Sequence, residues 1–196
     1  MAKAPSISLP ILREVRACRV CETSLPNQPR PLLAASASAR IVIIGQAPGR
    51  IAHETSVPWN DASGKRLRSW LGVSDEEFYD ASLIALVPMG FCFPGKGKGG
   101  DMAPRPECAP LWHPKILPKL KSLQLTVYVG RFPMERYLAD EFDELTAAVR
   151  AAKRLLPTRV QLPHPSPRNQ MWLSRNRWFE KDVLPVLASR VREVLA

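Results

Sequence analysis

No apolar run in this chain of 196 residues approaches the roughly 20 needed to cross a bilayer, which argues against a helical membrane protein. The glycine signatures of phosphate binding are missing as well. No G-x-G-x-x-G follows the first apolar strand and no G-x-x-x-x-G-K-[ST] lies near it, so a mononucleotide site has no support. Met1 to Pro10 holds no long apolar core preceded by charge, which argues against a secretory leader and makes the cytoplasm the expected compartment. There is no internal repeat. Acid is in short supply: 18 Asp and Glu against 28 Lys and Arg leave a net charge of +10. That excess is solvated or matched by an acidic partner, and nucleic acid suits it best. The basic residues recur in short clusters, Lys65-Arg66-Arg68, Lys96-Lys98, Lys115-Lys119-Lys121, Arg168 and Arg175-Arg177, which a fold can gather on one face.

What is present suits one globular domain over residues 1–196: 45% of residues are hydrophobic and 23% charged, enough for one substantial core. The four cysteines, Cys18, Cys21, Cys92 and Cys108, leave none over. In a reducing compartment a Cys-x2-Cys pair with two further cysteines suggests metal ligands, and four thiolates suit either an iron-sulfur cluster or a tetrahedral zinc. Four unrelated buried thiols are the alternative. Cys92 and Cys108 bracket Pro94-Gly95-Lys96-Gly97-Lys98-Gly99-Gly100, a stretch too rich in glycine to form a core, and a metal would pin both of its ends.

The organising stretch is Ile41-Val42-Ile43-Ile44-Gly45-Gln46-Ala47-Pro48-Gly49. Four β-branched residues without alternation suit a strand covered on both faces, and the Gly-Pro-Gly turn ends it where open α/β sheets keep their ligands. Taken alone, the turn reads as ordinary punctuation sooner than as a ligand site. Further strands are expected at Leu83 to Val87, Leu123 to Val129 and Arg159 to Leu162. Helices are expected over residues 8 to 17, from an N-cap at Ser63 to Gly72, over Ala109 to Leu120, Met134 to Leu138 and Glu141 to Leu156, and from Trp178 to Leu195 with a kink at Pro185. Arg50 to Ala62 reads as a polar loop. Short strands alternating with helices predict an α/β three-layer sandwich, its short, mainly parallel four-stranded central sheet flanked by helices.

Set side by side, these segments resemble the uracil-DNA glycosylase superfamily, and in particular its iron-sulfur families 4 and 5. Gly45-Gln46-Ala47-Pro48-Gly49 looks like motif A of those families, and the cysteine spacing is similar to the cluster ligands of family 4. Thr55-x-x-Pro58-Trp59 falls where they have Thr-Gly-Arg-Pro-Phe. Asp61-Ala62-Ser63-Gly64 resembles the Asp-Ala-Ser-Gly of family 5, and His164-Pro165-Ser166-Pro167 resembles motif B of family 1. The resemblance runs from Cys18 to about Asn169 and implies a monomeric DNA-repair glycosylase. Such an enzyme hydrolyses the N-glycosidic bond of uracil or another deaminated base in single- or double-stranded DNA, and here it would carry a structural 4Fe-4S cluster, with zinc as the alternative.

The chemistry asks for particular residue types. A flipped base needs a ring to stack on, and Trp59 stands where the resemblance places a phenylalanine. Charge collecting on the leaving base needs preorganised donors, with His164 the candidate. The sugar cation and the attacking water need a carboxylate, and the resemblance offers Asp61. The position where family 1 carries aspartate is Ala47 here, and the glutamate position of family 4 is Gln46. Where family 4 pairs an asparagine with uracil this chain has Pro88, which opens the range to bases such as hypoxanthine. Gly45, Gln46, Ala47 and Gly49 would wall the base pocket. Arg168 and Asn169 follow motif B where the family fills the gap left by the flipped nucleotide, with Ser166 beside them. Lys96 and Lys98 would add phosphate contacts. Two other classes stay open: a lesion or abasic-site binder without turnover, and a nucleotide-binding or electron-transfer protein.

Overall fold

The structure is a computed structural model and describes residues 9–196, so the question of a secretory leader falls largely outside the described residues. In chain order the elements are α1 (Ile11–Arg16), β1 (Ile41–Ile44), α2 (Arg50–Thr55), α3 (Ala62–Leu71), α4 (Asp75–Tyr79), β2 (Ile84–Leu86), β3 (Lys96–Gly97), β4 (Gly100–Asp101), α5 (Cys108–Ile116), β5 (Leu125–Val129), α6 (Arg131–Tyr137), α7 (Leu145–Arg150), α8 (Ala152–Leu155), β6 (Arg159–Leu162), α9 (Gln170–Arg175) and α10 (Leu184–Leu195). The main sheet has the order β2-β1-β5-β6, and every neighbouring pair in it is parallel. Val42, central in β1, stands opposite Ala85 on one side and Thr126 on the other.

The lack of alternation in β1 has a direct cause. Ile41 and Ile43 enter one core with Leu67, Trp70 and Leu71 of α3 and Leu187, Val191 and Val194 of α10. Val42 and Ile44 enter another with Leu12 and Val15 of α1, Trp112 and Ile116 of α5 and Met134 of α6. All four β1 residues are buried because helices cover both faces of the sheet. The three-layer α/β sandwich follows.

Several local expectations are corrected. Arg50 to Ala62 is not all loop, because α2 forms over its first six residues with only Ala52 buried. Asp61, and not Ser63, caps α3: Asp61 is the last extended residue (φ −149°, ψ −177°), while Ser63 lies inside the helix and is buried. The helix expected over Glu141 to Leu156 begins at Leu145 and splits at Ala151. The break expected at Pro185 is a single wide turn over Phe179–Val183, after which Pro185 sits in the first turn of α10, where a missing N–H costs nothing. The glycine-lysine segment is a small antiparallel hairpin, β3–β4, rather than an unstructured loop. Among the described residues no helix is long and apolar enough to cross a membrane.

Candidate nucleic-acid cleft and cysteine cavity

The carboxyl ends of the main strands open into a cleft of about 640 Å³. Its floor is the turn after β1, laced to the loop after β2: the Gly45 carbonyl accepts from Met89 N–H at 2.8 Å and the Gln46 carbonyl from Gly90 N–H at 2.9 Å. Pro88, the residue before these donors, lines the cleft. Its carbonyl is held from behind by His113 Nε2 at 3.0 Å. A carbonyl can only accept, so the His113 proton is on Nε2, and Nδ1 accepts from the Tyr137 hydroxyl at 2.5 Å. Burial lowers the pKa of His113 and keeps this ring neutral.

Trp59 reaches the cleft by a strained route. Its φ of 58° is in the left-handed region, which costs a side-chain-bearing residue about 1–3 kcal/mol. Three neighbours hold it there. Tyr79 donates its hydroxyl to the Pro58 carbonyl at 3.1 Å, Arg68 donates to the Trp59 carbonyl at 3.3 Å, and Gly64 leaves the room: a Cβ there would lie 1.7 Å from the Trp59 oxygen. Arg68 is thereby consumed by structure, since it also pairs with Asp75 at 2.6 Å and lies over the rings of Phe78 and Tyr79. The Trp59 ring lies against Gly45, where a Cβ would be 2.6 Å from Cζ2, and stacks on His164 at 6.0 Å between centroids and 30° between planes.

His164 follows β6 and packs on Gly130 at the end of β5. Its Nδ1 accepts the Ser166 N–H at 3.2 Å, and its carbonyl accepts from Asn169 Nδ2 at 3.1 Å. Burial lowers its pKa, while the charges of Asp61 and Asp101 pull the other way. In the neutral ring with Nδ1 accepting, Nε2 carries the hydrogen and is the free donor.

Asp61 lines the cleft with one oxygen engaged, Oδ1 accepting from Gly64 N–H at 2.8 Å as the α3 cap. Gln46, Ala47, Gly49, Ser166, Arg168, Asn169 and Lys96 also line it. Arg168 donates Nη1 to the Gly99 carbonyl at 2.9 Å and so ties the segment after His164 to the β3–β4 hairpin. Lys96 pairs with Asp101 at 3.2 Å. Lys98 is exposed on the same hairpin, away from the lining.

Among the lining residues that escaped the sequence reading are Asp101, Arg131 and Phe132. Arg131 and Phe132 directly follow Gly130 at the end of β5, so the rule that ligands gather beyond strand ends could have found them. Nothing local marked Asp101.

The four cysteines meet elsewhere. Cys18, Cys21, Cys92 and Cys108 wall one small, apolar cavity with Phe91, Arg105 and Trp112 among its other walls. Phe91 N–H points to Cys108 Sγ at 3.4 Å. Desolvation pushes the Cys92 thiol up to about 11 and the Cys108 thiol up to about 12. Among the described residues no three His, Cys, Asp or Glu side chains converge closely enough to hold a single metal ion. The thiols surround a space rather than a point.

A parallel sheet with helices on both faces, and a cleft at its carboxyl edge holding an aromatic ring stacked on a histidine, define the class. The family model of the uracil DNA glycosylase superfamily matches residues 34–188, most of the chain. The chain belongs to the uracil DNA glycosylase superfamily.

Proposed function

We propose that the protein is a DNA glycosylase that draws a deaminated nucleotide out of the stack into the cleft, hydrolyses its N-glycosidic bond and leaves an abasic site. The observation that carries this reading is the Trp59–His164 pair, in which Ser166 N–H fixes Nδ1 of a neutral imidazole as acceptor and leaves Nε2–H to donate. As the bond between base and sugar breaks, its electron pair departs on the base. A neutral N–H donor stabilises the growing charge on a base oxygen without giving up its proton. Trp59 supplies the ring on which the base stacks, with Gln46, Ala47, Gly49 and Pro88 as pocket wall, while Gly45 lies against the ring and makes room for it rather than lining the pocket. Pro88 offers no amide to read uracil, so hypoxanthine and xanthine join uracil as candidate substrates. Asp61 adds negative charge beside His164 and the cationic sugar.

Lys96, Lys98, Arg168 and Asn169, with Ser166, supply the phosphate-facing rim, giving affinity that falls as salt rises. Cys18, Cys21, Cys92 and Cys108 would hold a 4Fe-4S cluster in the space they surround; zinc, the alternative, would require the thiols to draw in to a single point. Four thiols on one cavity and the Phe91 N–H to Cys108 contact fit such a group. The positive metal would supply the charge compensation that thiolates in an apolar cavity require, and would tie the N-terminal segment to the loop beyond β2. Brown colour and visible absorbance distinguish iron-sulfur from zinc.

The test is base release from short single- and double-stranded DNA carrying one uracil, hypoxanthine or xanthine, read as strand breakage after alkali. Release of any of these bases is the expected result; none, from metal-loaded protein that binds the DNA, overturns it. A second reading, a lesion or abasic-site binder without turnover, draws on one observation: Asp61 is engaged as a helix cap while Gln46 and Ala47 carry no charge. Saturable, salt-sensitive binding with no base release would support that reading.

A further inference from the structure

The cleft has a second carboxylate, and it comes from the glycine-lysine hairpin. Asp101 ends β4 and lines the cleft. Its Oδ1 is 3.2 Å from Lys96 Nζ, while its Oδ2 occupies the space a side chain at Gly49 would fill, 3.1 Å from the position of a Cβ there. The turn after β1 carries no acid of its own at Gln46 or Ala47. The hairpin therefore places a carboxylate oxygen against the end of that very turn.

The hairpin is anchored from two sides. Arg168 donates to the Gly99 carbonyl at 2.9 Å, and Gln46 Nε2 lies 3.5 Å from the Met102 carbonyl, next to Asp101. Gly100, at φ 149°, keeps open the space the Arg168 guanidinium takes: a Cβ there would be 2.1 Å from Nη1. Asp61, the other acid of the cleft, has an oxygen committed to the α3 cap. Asp101 pairs through Oδ1 with Lys96, its one ion-pair partner among the described residues, which leaves Oδ2 at the turn, and Asp101 also acts electrostatically on His164.

We propose that Asp101 is the carboxylate that holds the attacking water and faces the cationic sugar, supplied across the fold to a turn that lacks one. The assignment rests on the glycosylase reading. The bond between C1′ and the base nitrogen breaks with its electron pair leaving on the base. The water oxygen bonds to C1′, its proton passes to Asp101 and on to solvent, and the departed base takes a proton from solvent.

The experiment pairs two measurements on the metal-loaded full chain. Single-turnover release is measured on a base that the wild type removes. Binding is compared for DNA carrying a cationic pyrrolidine abasic analogue and DNA carrying the neutral tetrahydrofuran analogue. Asn at position 101 keeps the volume and an oxygen for Lys96, so hairpin pairing survives while the charge goes. Asp101→Asn is expected to slow release by about a hundredfold or more and to erase any preference for the cationic analogue, with Asp101→Glu restoring part of both. Release within about twofold of wild type in Asp101→Asn, with Asp61→Asn slow, would hand the role to Asp61 and overturn the assignment. Equal weakening of both analogues would overturn it too, by making Asp101 a hairpin brace. Wild type that releases no base at all would overturn the glycosylase reading and this assignment with it, an outcome distinct from an active wild type with an indifferent Asp101.

Discussion

The loop beyond β2 serves two sites of opposite character. Pro88 faces the cleft, and four residues on Cys92 faces the cysteine cavity. Burial acts in the same sense on both, penalising the charged form of each titratable group. At His164 this favours the neutral ring, which is the form able to donate from Nε2 while accepting Ser166 N–H at Nδ1. At Cys92 and Cys108 it favours the thiol, which is the form that cannot ligate. One desolvation effect therefore prepares the cleft unaided, whereas ligation by the cavity cysteines would need a positive group brought from outside.

The largest effect should come from breaking the cleft side. His164→Ala removes the donor and the ring under Trp59, and single-turnover base release should fall by about 10²–10³-fold, the usual loss for one preorganised donor. The melting temperature should change far less than after any cysteine substitution. If release survives while melting collapses, His164 is a packing residue and the two regions exchange roles.

On the cavity side the expected damage is to stability. If the four cysteines hold the proposed metal group, Cys108→Ser or chelation should cost about 3 kcal/mol or more, since metal loss belongs to the few mechanisms that exceed ordinary mutational costs. Visible absorbance would disappear together with the melting transition if the group is iron-sulfur. Base release, normalised to folded protein, should stay near that of the parent. A variant that melts normally would show that the four thiols are merely packed.

How far these two regions could be read from the sequence differs in an instructive way. The cavity rested on spacing: Cys18 and Cys21 announce themselves as a pair, and the structure brings Cys92 and Cys108 to the same wall. The sheet was equally accessible, with Arg159–Leu162 matching its expected bounds and Ile41–Ile44 reading as a two-faced strand because it is one. The cleft was legible only where its residues end strands. Asp101 sits between glycines and a methionine, a setting that reads as solvated loop, and its approach to Gly49 is a tertiary fact. The cap on α3 was misplaced for a local reason. Asp61 and Ser63 are both good cap formers, and the choice is made by where the chain stops being extended, which the left-handed Trp59 decides.

A smaller effect tests the Trp59 platform. Trp59→Ala should weaken productive binding of the flipped base by about 1–3 kcal/mol, the usual worth of base-aromatic stacking, measured as affinity for lesion DNA against the same duplex without the lesion. The alanine also loses packing against Gly45 and His164, so the comparison with undamaged DNA is what isolates the stacking. Gly64→Ala provides the complementary probe. It keeps the indole but drives a methyl into the Trp59 carbonyl, so lesion binding should weaken with the ring still present.

The smallest expected effect is that of pH, and it separates the cleft from its support. His113 and His164 both have pKa values lowered from 6.5, with burial the largest cause at each. A histidine whose folded pKa lies below its unfolded value binds fewer protons when folded, so its contribution to stability is complete above 6.5 and is lost as pH falls through the folded value. Both rings push stability the same way, but only one is in the cleft. Protonation of His164 places a hydrogen on Nδ1 opposite Ser166 N–H and breaks the contact that orients the ring. Base release should therefore show an acid limb below 6.5, and His164→Gln, which cannot titrate, should flatten that limb in whatever rate remains. The acid loss of thermal stability should persist in that variant, because His113 still bridges Pro88 and Tyr137. If one substitution removes both dependences, His164 carries the acid sensitivity of the fold as well as that of the reaction. If it removes neither, another group titrates in the cleft and the fixed-proton account of His164 fails.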